Sequence, residues 1–569
     1  MASLLSRRTA VPCRQPGSFA KAAGLAPRPA VAVRAAAQQH LQHAASSLSS
    51  SSSSSKPLRP SLSSSSSRRP LHVAANASAG ALPAQPEQPA APAAPALQGM
   101  KLVPAAIAVA FGCLVKFLIP SPAGITPEAW TLFSIFLSTI LGLVVQPLPV
   151  GAWAFCALCC VVASGALPFA KALGAMTSEV IWLIVISFFF AKGFEKTGLG
   201  ERIANIFVAA MGKSTLGLAY GLSIAELFLS PALPSTTARA GGIFVPIIKF
   251  LSKSVNGDPE TGGRKKMGAF LMQSQLQQSS YSSALFLTSG AQNLLCLNLA
   301  AELGVVVPDA WTTWFVGCLP PAILGMVITP ILLFKMFPPE IKETPEAPTL
   351  AKQNLAKMGP MSAGEKITLA TISGAVVLWM FGDAIGCPAV LAAMLALGTL
   401  LVTGVLTWRD CLEYTPAWDT LIWFAILISM SNGLNESGLI SSFAGVVGNQ
   451  LNALNLGWQP VFFILHFAFF ALHYLFASQT AHIGALYAAF LAMMLASGCP
   501  GMLSALSLAY NGNLFGGITH FASGQAAIFY GSGFNSLSEF FLYGAIFGFL
   551  SLALTLGVGW PWWKFLGWF

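Results

Sequence analysis

The chain has few charged residues for its length. Asp, Glu, Lys and Arg make up 9% of its 569 residues, whereas a soluble domain carries about 25%. Hydrophobic residues make up 55% of the chain, and its mean hydropathy is +0.69. This composition excludes a soluble globular protein and predicts an integral membrane protein.

Acidic residues are absent from the first 86 positions, which hold ten Lys and Arg. The other twenty basic residues equal the twenty acidic ones, so the net charge of +10 belongs to this leader and no nucleic-acid partner is expected. The leader lacks the apolar core of a secretory signal and has a nearly unbroken serine tract from Ser46 to Ser55. Such composition is typical of an organellar transit peptide. We predict a plastid transit peptide over residues 1–80 and a flexible lead-in over 81–99; a disordered cytosolic tail is the alternative.

Cysteine and histidine do not form the patterns of a disulfide framework or a metal site. Most of the ten cysteines lie in apolar runs, where a thiol behaves as a small hydrophobic group. Beyond the leader the chain has four histidines, and none belongs to a His-x-x-His or Glu-x-x-His pair. These absences argue against a membrane-embedded metalloenzyme, so we predict no enzymatic activity, no metal and no cofactor.

Apolar runs recur from residue 100 to the C-terminus. Because a span needs about 20 mostly apolar residues, we predict about eleven transmembrane helices. A proline- and charge-rich stretch over residues 338–366 interrupts the apolar sequence. We therefore predict an all-α polytopic membrane protein whose halves, residues 100–337 and 367–569, are joined by this linker.

The two halves carry matching sequence. In the first, Ile181-Trp182 begins an apolar run that ends in Gly193–Leu199, which reads Gly-Phe-Glu-Lys-Thr-Gly-Leu. In the second, Ile422-Trp423 begins a run that ends in Gly433–Leu439, which reads Gly-Leu-Asn-Glu-Ser-Gly-Leu. A repeated half-chain in a membrane protein is typical of a secondary transporter.

A hydroxyl-rich tripeptide follows each run: 235–237, Ser-Thr-Thr, and 478–480, Ser-Gln-Thr. Each lies between two apolar segments, and this order predicts a re-entrant hairpin with the tripeptide at its tip. A second interruption in each half places Gly near Gln, at 290–292 and 524–525, as an unwound helix would. Non-helical backbone at membrane depth must face a cavity or other protein, so these segments are expected to surround the substrate site.

These strings resemble the divalent-anion:sodium symporter superfamily, whose members carry Ser-Asn-Thr at two hairpin tips. Residues 234–244 and 283–296 are similar to its plastid branch, the 2-oxoglutarate/malate translocators of the chloroplast inner envelope. The resemblance covers residues 100–569. It implies two re-entrant hairpins, two inverted repeats, an elevator-type mechanism, a homodimer in the bilayer, and exchange of malate for 2-oxoglutarate.

One position departs from the family pattern. The middle Asn, which helps to bind sodium and substrate in the symporters, is replaced by Thr236 in the first tip and Gln479 in the second. The replacement favours anion exchange over sodium coupling. A sodium-coupled dicarboxylate symporter, a glutamate/malate exchanger and an anion channel remain alternatives.

We predict that tip and break residues bind the substrate through hydroxyls, amides and two basic side chains: Ser235, Thr236, Thr237, Arg239, Gln292, Asn293, Ser478, Gln479, Thr480, His482 and Gln525. Helices that begin after the tips would add N–H donors for an anion. The alternative for the small and hydroxyl residues is helix packing, and for the amides it is satisfying backbone groups.

Arg239 and His482 occupy equivalent positions, two residues after each motif threonine. A guanidinium can hold a carboxylate bidentately, and a bound dicarboxylate would cancel its charge so that only the loaded carrier reorients. The alternative for Arg239 is an ion pair with Glu226 on the preceding helix, and for His482 it is a place in the core.

Overall fold

The computed structural model describes residues 99–122, 124–439, 442 and 457–569. The predicted transit peptide and all but the last residue of the predicted lead-in lie outside these ranges. The described residues are largely helical and include no β-strand.

The first half contains α1 (Leu102–Leu118), α2 (Pro127–Val145), α3 (Val150–Ala163), α4 (Phe169–Ala172), α5 (Glu179–Thr197), α6 (Leu199–Met211), α7 (Thr215–Leu229), α8 (Thr236–Arg239), α9 (Val245–Ser254), α10 (Gly268–Leu285), α11 (Ala291–Glu302) and α12 (Ala310–Met336). The linker contains α13 (Ala347–Met358) and the start of the next helix, and α13 packs on α6.

The rest of the chain contains α14 (Ala363–Phe381), α15 (Ala389–Val402), α16 (Trp408–Glu413), α17 (Thr415–Glu436), α18 (Trp458–Leu472), α19 (Gln479–Ala496), α20 (Gly501–Leu514), α21 (Gly524–Gly531) and α22 (Leu537–Phe565). Within the described ranges, eight helical segments are long and apolar enough to cross a membrane, and α1, α3 and α15 are shorter apolar helices. The all-α polytopic fold is confirmed; the number of crossings and the elevator-type mechanism stay predictions.

The two matching runs form the helices α5 and α17, which pack against each other. Each run ends at a glycine in the left-handed region, Gly198 with φ of 74° and Gly438 with φ of 73°. Glycine adopts this conformation without the Cβ penalty that other residues meet, so it ends a helix readily. The matching glycines in the sequence are therefore matching helix ends in the fold.

Both predicted helix–tip–helix segments are present. In the first, α7 ends at Leu229 and a 3₁₀ turn precedes the tip; helical backbone resumes at Thr236 and continues through a π turn into α9. Pro231 and Pro234 explain the interruption, because proline lacks the N–H that an α-helix requires. In the second, a 3₁₀ turn precedes the tip and α19 begins at Gln479.

Each half also contains the predicted broken helix. Residues 286–290 separate α10 from α11, and residues 515–523 separate α20 from α21. α10 is buried over its whole length although its sequence is rich in Gln and Ser. It packs against α7, α12 and α20, so the first broken helix is enclosed by helices of both halves.

Candidate functional site

The three hydroxyl groups of the first tip lie in three different environments. Ser235 caps the helix that follows, since its Oγ accepts from the Ala238 N–H at 3.2 Å. Thr236 is buried, and its Oγ1 lies 3.2 Å from Ser283 Oγ on α10. Thr237 is exposed, and no described residue is hydrogen-bonded to its hydroxyl. One of the three is thus available to a ligand.

The second tip repeats this division. Ser478 Oγ accepts from the Ala481 N–H at 3.3 Å, which caps α19. The Gln479 amide is buried and donates to two carbonyls of α20, Gly512 O at 3.2 Å and Asn513 O at 3.1 Å. Thr480 is half-buried, and its hydroxyl has no hydrogen-bond partner among the described residues.

The two tips therefore have the same order of roles: a capping serine, a buried middle residue and a threonine with an available hydroxyl. Capping accounts for the serines, because Ser is a preferred N-cap residue whose oxygen satisfies a free helical N–H. The middle residues hold each tip against a neighbouring helix. This leaves the two threonines as the tip side chains best placed to bind a substrate.

The second broken helix lies against both tips through adjacent residues. A Cβ at Gly524 would collide with Thr237 Oγ1 of the first tip, so a larger residue there would have to displace Thr237. The next residue, Gln525, donates through Nε2 to Gln479 Oε1 of the second tip at 2.9 Å. The start of α21 thus brings the tips of the two halves together.

Amide side chains connect the two halves beneath the tips. Asn513 Nδ2 on α20 donates to Asn293 Oδ1 on α11 at 2.7 Å, and Gln292 Nε2 donates to Asn513 Oδ1 at 2.9 Å. Asn293 also donates to Ser283 O at 2.9 Å, across the first break. Four of the predicted residues, Gln292, Asn293, Gln479 and Gln525, belong to this buried network.

Ser283 and Asn513 belong to the network but were missed by sequence reasoning. Ser283 joins Thr236 to Arg239, since its Oγ also accepts from Arg239 Nη2 at 2.8 Å. The sequence contained a signal for Asn513, because Asn511 and Asn513 are two amides within an otherwise apolar stretch. No comparable signal marked Ser283, which is one of many serines in α10.

Arg239 is fully buried and paired with Glu226. Its Nε lies 3.1 Å from Glu226 Oε1, and Gln275 donates to the other carboxylate oxygen. Arg239 Nη1 donates to Leu233 O and, at 3.0 Å, to Ser289 O. The ion pair weighed as the alternative for Arg239 is therefore present, and the guanidinium joins the first tip to the first break.

His482 is also fully buried, beside a second histidine. Its Nδ1 lies 3.2 Å from His473 Nδ1, and its ring packs against Phe469, Phe476 and Phe515. His473 Nε2 in turn lies 2.9 Å from Ala522 O in the second break. His482 thus joins the second tip to the second break, as its equivalent Arg239 does in the first half.

A cavity of about 310 Å³ lies beside the first tip. Thr237 and Ala238 line it together with Gly241, Glu195 and Tyr414. Glu195 is paired with Lys192 at 3.1 Å. Among the described residues, no three His, Cys, Asp or Glu side chains are grouped as metal ligands.

Comparison with known proteins identifies the family of the chain. Residues 100–569 match the family described as the sodium:sulfate symporter transmembrane region. The chain is 54% identical over 470 residues to the chloroplastic dicarboxylate transporter 2 of Spinacia oleracea, covering 83% of each chain. It is 34% identical to the citrate/succinate antiporter of Escherichia coli strain K12, covering 79% of this chain and 95% of that one.

A solved structure supports the fold. The crystal structure of the Alcanivorax borkumensis YdaH transporter aligns with a TM-score of 0.50 and 12% identity, over 82% of this chain and 98% of that one. The plant relative confirms the plastid localisation predicted from the leader. From its match over residues 100–569 and from these relatives, the chain belongs to the family of the sodium:sulfate symporter transmembrane region.

Proposed function

We propose that this protein exchanges dicarboxylates across the chloroplast inner envelope, with 2-oxoglutarate and malate as the exchanged pair. The observation that carries the proposal is the matched pair of tips, each of which leaves one threonine hydroxyl available. A dicarboxylate has an anionic group at each end, so two equivalent donors, one on each tip, suit it. The relatives named as a dicarboxylate transporter and a citrate/succinate antiporter support this substrate class.

The eleven predicted residues divide into three groups in this proposal. Thr237 and Thr480 donate to the two carboxylates, assisted by the N–H groups at the start of the helices behind them. Seven residues hold the tips and the broken helices in position: Ser235, Ser478, Thr236, Gln479, Gln292, Asn293 and Gln525. Arg239 and His482 are positioning residues that join each tip to a break.

Sodium coupling is disfavoured by the partners of the two middle residues. Thr236 is bound to Ser283, and the Gln479 amide is bound at both its nitrogen and its oxygen. These side chains stand where the resembling symporters have asparagine, and their polar atoms are already engaged by protein. The same groups serve an exchanger well, since they stabilise the tips without a cation.

Counter-exchange in proteoliposomes tests the proposal. The full chain would be reconstituted with internal malate, 2-oxoglutarate, glutamate, sulfate or buffer alone, and uptake of labelled malate measured with and without sodium. We expect uptake only against an internal dicarboxylate, unchanged by sodium. Sodium-dependent uptake into buffer-loaded vesicles would establish the symporter instead, and preference for internal glutamate would establish a glutamate/malate exchanger.

We also propose a homodimer with elevator-type movement. Cross-linking of the inward-facing and outward-facing states would test it.

A further inference from the structure

An apolar groove of about 370 Å³ lies between α1, α2 and α3, away from the tips. Its volume is within the range of about 300–1,000 Å³ that is usual for small-molecule sites. Cys113 on α1 and Cys156 and Cys160 on α3 line it, and Trp153 is also part of its lining. The groove opens on the outer surface of the helices, because all three cysteines are exposed.

The surroundings of the groove are apolar. Phe117 and Leu118 at the end of α1 are 78% and 74% exposed, and Phe155 on α3 is 54% exposed. Side chains of this kind face lipid in a membrane protein. The groove is formed where α1 and α2 approach closely, since a Cβ at Gly112 would lie 2.7 Å from Ser138 Cβ.

One cation, Lys116, lies at the end of this groove. It is in the last turn of α1, and its Nζ donates to Thr131 Oγ1 and, at 3.3 Å, to Pro127 O. No described acidic side chain lies within ion-pair distance of it. A lysine near a helix end commonly extends toward the membrane interface, where basic groups between helices attract anionic headgroups.

We propose that this groove binds one anionic phospholipid, whose phosphate pairs with Lys116 and whose acyl chain lies along Cys113, Cys156 and Cys160. The charge of Lys116 selects the anionic headgroup, and the nearly uninterrupted apolar lining accepts the chain. A second copy packed groove against groove would bring no carboxylate to the ammonium, because no acidic residue lines the groove.

Native mass spectrometry of the purified full chain tests the proposal. The protein would be titrated with phosphatidylglycerol or phosphatidylcholine in mixed micelles, and the bound fraction measured. We expect phosphatidylglycerol to be retained at least tenfold more strongly. Lys116→Gln should reduce its retention about tenfold, since one charge-assisted hydrogen bond is lost. Lys101→Gln, which removes an equal charge from the opposite end of α1, should not change it.

A second pair of variants tests the apolar part of the groove. Cys156→Trp would fill the groove and should abolish retention of phosphatidylglycerol. Cys159→Trp places the same bulk on an exposed position of the same helix that does not line the groove, and should bind as wild type does. The proposal would be overturned if both lipids were retained equally or if the two lysine variants had equal effects. It would also be overturned if Cys156→Trp lost a dimer while its lipid retention stayed unchanged.

Discussion

Asn513 on α20 donates to Asn293 on α11 at 2.7 Å, and this bond joins the two halves of the chain near the two tips. Asn513 Oδ1 also accepts from Gln292, so one side chain satisfies two amides of the other half. Polar groups buried at this depth require partners, because an unpaired one keeps its full desolvation cost. The bond therefore makes the position of each tip depend on the opposite half.

Asn513→Leu should uncouple the halves. Asn293 and Gln292 would each lose a buried partner, at a cost of about 1–3 kcal/mol per unsatisfied group, so the melting temperature should fall. We also expect the substrate-induced rise in melting temperature to be lost. Asn511→Leu is the matched control, since its amide bonds His466 O within the same half. It should lower the melting temperature but keep the substrate-induced rise; equal behaviour of both variants would contradict the coupling role.

Thr237→Val and Thr480→Val should each weaken binding of the dicarboxylate while leaving membrane insertion intact. Loss of a hydrogen bond to a charged ligand costs about 1.5–3 kcal/mol, or roughly ten- to a hundredfold in affinity. The measurement is the external malate concentration that half-saturates exchange. Thr403→Val is the control, because this exposed threonine bonds only to its own helix. Unchanged half-saturation in both tip variants would show that the tips serve packing alone.

Much of the fold could be predicted from the sequence because it depends on local chemistry. Prolines at 231 and 234 interrupt a helix wherever they occur, and glycines such as Gly198 and Gly438 end one. The repeat then supplied a second, independent example of each feature. Both tips were predicted from a hydroxyl-rich tripeptide between two apolar segments, and the broken helices from a glycine near a glutamine.

Most partners of the tip residues could not be predicted, because they come from distant parts of the chain. The Glu226 ion pair could be named only as an alternative, because Arg239 has the same local context whether it faces a substrate or Glu226. Ser283 is indistinguishable in sequence from its neighbouring serines. The sequence therefore predicted which residues form the candidate site but did not divide them between binding and support.

The carboxylate of Asp419 on α17 lies against the start of α3, a helix whose own N-cap residue is Pro149. A Cβ at Gly151 would collide with Asp419 Oδ1, so the carboxylate is close to the first turn of α3. A negative charge near a helix start is favourable, so Asp419→Leu should lower stability by about 0.3–1 kcal/mol, and Asp419→Asn by less.

Thermal unfolding followed by near-ultraviolet circular dichroism would test the Asp419 prediction. Gly151→Ala should be more destabilising than Asp419→Leu, because it both displaces the carboxylate and crowds the helix start. The double change Gly151→Ala with Asp419→Ala should recover part of this loss. A double variant less stable than either single one would argue that the contact is incidental.

The last prediction separates the two roles considered for Arg239. If the guanidinium neutralises the substrate, its removal should let the empty carrier reorient and turn exchange into net efflux. If the guanidinium instead pairs with Glu226 and holds the tip in place, its removal should destabilise the protein. The structure favours the second outcome, because the nitrogens of Arg239 are engaged by Glu226, Leu233, Ser289 and Ser283.

Arg239→Met alone leaves the Glu226 carboxylate buried without its partner, which typically costs about 3–5 kcal/mol, so the melting temperature and folded yield should fall sharply. Arg239→Met with Glu226→Gln removes both charges and should restore much of the yield. Because the tip keeps Thr237 and its helix start, this double variant should retain strict exchange: labelled malate should leave proteoliposomes only when external dicarboxylate is present. Net efflux from a well-folded double variant would instead assign the guanidinium to the substrate.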